Sequence, residues 1–243
     1  MKRLFFFFVL SILTIYGIAG TAPKRIVSLS PTATKSLYLM GAGDLLVGCT
    51  SFCTLEGNST VQVVASAVQV NIEKALLLKP DLVVANSLTK PETLDMFRKL
   101  GIETVCFPYP KSFDQLCQHF VDLGKKVGKE SEATRITQEA KKQVQAARNS
   151  VPSTKTKPRV FYQIGANPLF TVAPNTFMQD FIDFAGCENI ASDLKIGSIT
   201  RETVLVRNPD VIFVILMGSI SAEEKTKWEQ YKSLSAVKKK NIS

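Results

Sequence analysis

Histidine and tryptophan are nearly absent: the 243 residues hold one of each, His119 and Trp228. A single imidazole cannot build a His-rich metal site, and no metalloprotease helix of the H-E-x-x-H type occurs. Also missing are a G-x-S-x-G elbow, a Walker loop and a G-x-G-x-x-G turn after a strand. The usual motif-borne routes to nucleophilic, phosphate-binding and dinucleotide chemistry are therefore closed, and the chain is not expected to be an enzyme. Glycine (13) and proline (11) are too few for a collagenous or linker-dominated chain. With 45% hydrophobic and 21% charged residues, a globular chain with a sizeable core is expected.

Charge is unbalanced, 30 Lys and Arg against 21 Asp and Glu, for a formal net +9. The cations are scattered (Lys125, Lys126, Lys141, Lys142, Lys155, Lys157), apart from a final run, Lys238 to Lys240. No aromatic residues interleave with them as stacking platforms, so a solvated basic surface is expected and no nucleic-acid partner. Cys49, Cys53, Cys106, Cys117 and Cys187 form an odd set of five. Their spacing lacks the tight pairs and further ligands of a zinc site, which leaves disulfides or buried free thiols.

The start has the order of an export signal: basic Met1-Lys2-Arg3, an apolar run from Leu4 to Ile15, then small residues up to Ala19. The apolar stretch is shorter than the ~20 residues of a spanning helix. No cysteine precedes Cys49, so no lipid-attachment cysteine is available. The expectation is a signal peptide at 1–19 and a soluble periplasmic protein that is not a lipoprotein.

Past the leader, strands alternate with helices, the pattern of an α/β protein. Strands are expected at Arg25–Ser30, Leu45–Cys49, Leu82–Ala85 and Glu103–Phe107. The helices expected with them are Thr32–Met40, a short one capped by Asn71, Pro91–Leu100 and Phe113–Val127. On the last of these His119 shares the polar stripe with Gln115, Asp122 and Lys126, which makes it a surface residue. A longer helix follows from Ser131 to Asn149, with a narrow stripe of Ala133, Ile136, Ala140, Val144 and Ala147. Val151 to Pro158 has boundary chemistry, and then the pattern restarts with a strand at Arg159–Ile164 and a helix at Thr176–Ala185. The expected organisation is an N-terminal lobe at 20–128, a bridging helix at 129–150 and a C-terminal lobe at 151–243.

The two halves echo each other. Asn71-Ile72-Glu73 through Pro80-Asp81-Leu82-Val83-Val84 matches Thr200-Arg201-Glu202 through Pro209-Asp210-Val211-Ile212-Phe213, with Glu, Pro and Asp all offset by 129 residues. Both copies lie between a short helix and an apolar strand, which points to two lobes on one plan. A cleft between two such lobes suits capture of a ligand.

Together with Arg25-Ile26-Val27-Ser28-Leu29-Ser30-Pro31 and the run from Arg159 to Thr171, these segments resemble the helical-backbone metal-receptor family. Its members are periplasmic binding proteins of ABC importers for vitamin B12, haem and iron–siderophores. The stretch Asn167-Pro168-Leu169-Phe170-Thr171 looks most like the vitamin-B12-binding branch. The resemblance implies two Rossmann-like lobes bridged by one long helix, a metal chelate as transported ligand and no intrinsic cofactor or metal. It implies a monomer whose partners are a permease and its ATPase, with Glu73 and Glu202, one per lobe, docking onto the permease. The ligand-binding positions it suggests are Phe52, Asn86, Asn167, Phe170 and Ile196. Three tryptophan positions of the vitamin-B12 pattern read Ala67, Asn86 and Ile196, which removes stacking area against a corrin ring. Arg201 and Tyr109 are candidates by residue type for holding an anionic chelate or a haem iron. The family would add a further strand and closing helix after Asn241-Ile242-Ser243, so an incomplete C-terminal lobe is expected. A scavenger uncoupled from transport and a chelatase-like enzyme are the alternatives.

Overall fold

The computed structural model describes residues 22–57, 60–66, 69–152, 156–216 and 220–243. The expected leader and Ala67 lie outside them. The chain enters with β1 (Ile26–Ser28), wholly buried, and turns at Ser30, whose hydroxyl caps α1 (Pro31–Leu39) by accepting the Ala33 N–H. Pro31 suits the first turn, where its missing N–H is no loss. A 3-10 turn leads to β2 (Leu46–Thr50), then β3 (Gln62–Ala65), α2 (Ile72–Leu77), β4 (Leu82–Asn86), α3 (Pro91–Lys99) and β5 (Glu103–Phe107). The strands form one parallel sheet in the order β3-β2-β1-β4-β5, the first five strands of the Rossmann order. Leu82, Val83, Val84 and Ala85 are all buried, as a central parallel strand covered on both faces requires.

Two helices then run almost without pause, α4 (Phe113–Lys126) and α5 (Glu130–Ser150). Gly124 lets them close up, because a Cβ there would collide with that of Ala133. With 21 residues α5 is about 31 Å long. Of its expected stripe only Ala133 is buried; Ile136, Ala140 and Val144 are half-buried and Ala147 is exposed. The helix is a strut over part of its length rather than a core element.

The second lobe holds β6 (Arg159–Ala166), β7 (Leu169–Thr171), α6 (Phe177–Phe184), β8 (Glu188–Asn189), α7 (Arg201–Arg207), β9 (Val211–Val214), α8 (Ile220–Glu229) and α9 (Ser235–Lys238). β6 pairs in parallel with β8 and β9 and antiparallel with β7, so this sheet is mixed. Ile242 bridges Ile212 in parallel beside β9. Trp228, fully buried, fills this lobe's core with Phe161 edge-on at 5.6 Å. Two Rossmann-like lobes bridged by one long helix are thus the architecture.

The lobes meet where α4 begins. The Phe113 N–H donates to Asp180 Oδ2 of α6 at 2.6 Å, and the Phe113 ring stands edge-on to Phe184 at 5.7 Å. Arg148, near the end of α5, lies over the same Phe184 ring.

Candidate functional site

In parallel α/β sheets ligands bind beyond the carboxyl ends of the strands, and those ends carry exposed apolar side chains in both lobes. Phe52, 60% exposed, follows β2 in a turn held by its N–H to Thr50 Oγ1. Asn86 ends β4, its Oδ1 taken by the Leu88 N–H at 3.0 Å. Tyr109 follows β5, its N–H on Ser87 Oγ, with the ring exposed. On the other lobe Asn167 is exposed in the turn between β6 and β7. Phe170, 38% exposed, lies in β7, and Ile196, 69% exposed, in the loop before α7. Ile164 and Ile215 add exposed apolar surface beside them.

Two groups emerge. Asn86, Tyr109 and His119 line one small cavity with Ser30 and Phe107. Phe170 packs beside the loop of Ile196, bridging Ser198, where Gly197 approaches so closely that a Cβ would strike the Thr171 carbonyl. The cavity itself, about 60 Å³, is far below the roughly 300–1,000 Å³ of a typical ligand pocket.

Two readings of the sequence change here. His119 is half-buried, not free on the surface, with its ring 5.3 Å from Phe107, because the end of β5 covers the helix stripe that looked solvated. Arg201 is not available to a ligand in the way its type suggested. Its guanidinium pairs with the buried Glu224 and stacks 4.5 Å over Trp228, on the core side of α7.

The twin glutamates stand on matching short helices. Asn71 caps α2 by accepting the Lys74 N–H at 2.8 Å, and Thr200 caps α7 by accepting the Thr203 N–H at 3.2 Å. Glu73 and Glu202 sit in the exposed first turns, and neither makes an ion pair among the described residues. The Glu202 carboxylate is held below its ordinary pKa by its own backbone N–H and the Thr200 hydroxyl. All five cysteines are free thiols. Among the described residues no group of three or more His, Cys, Asp or Glu could hold a metal ion, and no helix is long and apolar enough to cross a membrane.

Comparison with known proteins follows the same lines. A cobalamin-binding protein of Halobacterium salinarum is 31% identical over 198 residues, 78% of this chain and 53% of its own length. The chain thus spans about half the length of that relative. Among solved structures, a possible iron-binding periplasmic solute-binding protein of Staphylococcus epidermidis superposes with TM-score 0.78 at 25% identity, over 90% of this chain and 88% of its own. The periplasmic vitamin-B12-binding protein of Vibrio cholerae superposes with TM-score 0.72 at 27% identity, over 90% and 86%. These relatives are binding proteins rather than enzymes. Residues 26–243 match the family model described as periplasmic binding protein, and the chain belongs to that family.

Proposed function

We propose that this chain is the substrate-binding component of an ABC importer, exported to the periplasm by its 1–19 leader. It captures a metal chelate between its lobes, an iron–siderophore, haem or corrinoid, and delivers it to a permease through Glu73 and Glu202. The observation that carries this reading is the pairing of exposed apolar side chains at the carboxyl ends of both sheets with one unpaired carboxylate on each lobe. Phe52 and Phe170 supply flat apolar area to a tetrapyrrole or aryl chelate. Asn86, Asn167 and Ile196 border the same cleft and tune what fits. The tryptophans of the vitamin-B12 pattern are replaced at Asn86 and Ile196, which favours a ligand less dependent on stacking than a corrin ring.

The test is a titration of the purified protein with haem, cobalamin and ferric siderophores, followed by ligand absorbance. Trp228 is sealed in the second lobe's core, so its fluorescence is the poorer reporter. One class should bind unchanged in composition. Phe52→Ala and Phe170→Ala should each weaken that binding about tenfold or more, since burying an aromatic ring is worth roughly 1.5–3 kcal/mol. Chemical conversion of a bound ligand, or no binding by any class, would overturn the proposal.

A further inference from the structure

The two most exposed large apolar side chains of the described chain are Leu77, 80% exposed, and Val206, 86% exposed. They are separated by 129 residues, the offset that relates Glu73 to Glu202. Each follows its glutamate by four positions on the same short helix, so that carboxylate and aliphatic group share one outward face. The inward position agrees as well: Ala75 and Val204, at the same offset, are fully buried. Both lobes therefore present the same exposed pair in the same setting.

A single exposed leucine needs no explanation. A matched pair at the extremes of exposure, beside two unpaired carboxylates, is a different matter, because water-exposed aliphatics contribute nothing to either lobe's own core. The repetition also constrains the partner. It must offer two equivalent positions, each a cation beside an apolar socket, as a permease built of two like halves would. A flat lipid surface offers no discrete sockets, and an anionic one would repel the carboxylates.

We infer that Leu77 and Val206 are the apolar halves of two docking pairs, inserting into sockets of the permease while Glu73 and Glu202 engage its cations. This rests on the importer reading above and assigns the contacts that hold once charge has steered the encounter. Charge steering weakens with salt, whereas aliphatic burial does not, so the two contributions separate experimentally.

The test measures docking of the ligand-loaded protein to its cognate permease–ATPase complex in nanodiscs, at low and high salt. The variants are Leu77→Gln with Val206→Gln, Glu73→Lys with Glu202→Lys, and Leu39→Gln as an exposed apolar control. The glutamine pair should weaken docking about a hundredfold, roughly tenfold per site, at both salt concentrations. Melting temperature and chelate titration should stay at the wild-type values, and the control should dock normally. If charge reversal abolishes docking while the glutamine pair docks like wild type, the apolar assignment is wrong and the docking glutamates stand. If charge reversal also has no effect, the permease-docking reading itself falls. Self-association of the wild type, lost in the glutamine pair, would reassign the patch to a contact between copies of this chain.

Discussion

Glu224 is the only fully buried charged residue among those described, and it organises the second lobe's core. Burial pushes its carboxyl up, but hydrogen bonds from Lys227, Gln163 and Arg201 outweigh that and bring it from the ordinary 4.5 to about 2. Gln163 also accepts from the Trp228 indole at 2.6 Å, which ties the network to the largest buried ring. A depressed carboxylate pKa stabilises the fold at pH above the unfolded value. That contribution, roughly 3 kcal/mol, should be lost as pH falls from about 4.5 through about 2. Glu224→Gln leaves Arg201 without its counter-charge and should cost about 3 kcal/mol at pH 7, measured by urea unfolding. Its stability curve should converge on wild type near the acid end; a variant as stable as wild type at pH 7 would mean that Arg201 is adequately solvated. A second residue-scale expectation concerns Cys53. Hydrogen bonds from Cys49, Thr34 and Thr50 hold its thiol below the ordinary range despite partial burial, while the same Cys49 contact and burial push Cys49 up. At pH 7 iodoacetamide should therefore label Cys53 before the more exposed Cys106, whose thiol is raised by desolvation. Mass mapping that finds Cys106 first would show that the threonine hydroxyls do not hold a thiolate.

The repeated unit extends further than its sequence match suggests. Arg25 Nε donates to the Leu78 carbonyl and Arg159 Nη1 to the Arg207 carbonyl, while Asp81 and Asp210 accept the backbone N–H groups of those same two arginines. After each helix the chain passes through a left-handed residue, Lys79 at φ 47° and Asn208 at φ 45°, before the buried prolines Pro80 and Pro209. Asn adopts that conformation at lower cost than Lys. Lys79→Asn, copying the second lobe, should therefore raise stability by about 0.5–1 kcal/mol, seen as a higher urea midpoint with unchanged slope. A drop would mean that the Lys79 side chain makes a stabilising contact of its own. The echo could be read from residues because Glu, Pro and Asp have fixed jobs at a helix start and a strand entry. What could not be read depends on distant partners. β3 follows a polar loop and has two exposed residues, Gln62 and Val63, so it lacks the apolar run that marked the central strands. The β6–β7 hairpin carries no Asn-Gly or Asp-Gly turn signal. Arg201 looked like a ligand group because nothing local to it betrays Glu224, 23 residues away.

At the scale of the whole molecule, the cleft exists only if the lobes hold a fixed spacing, and α5 alone is a poor guarantor of it. Much of its surface is exposed, so it fixes distance better than angle. The angle is set where three helices converge. Phe184 of α6 is touched by Phe113 from α4, by Arg148 from α5 and by Phe181 from its own helix. Val151, just past α5, lies so close to Gly186 that no side chain could be added there, which fastens the far end of the strut to the second lobe. Phe184 is not among the side chains proposed to touch the ligand. Phe184→Ala should nevertheless weaken chelate binding. Removing the ring deletes an edge-on pair and a cation–π contact, each worth about 0.5–1.5 kcal/mol, and frees the lobes to rotate about α5. Spin labels on the two lobes should report a broader distance distribution in the variant without ligand, narrowing again when ligand is bound. Each lobe keeps its own core, so the variant's far-ultraviolet dichroism should match wild type. If the distance distribution stays as narrow as in wild type, the strut and its end contacts fix the cleft without Phe184, and any loss of affinity must come from the fold of the second lobe.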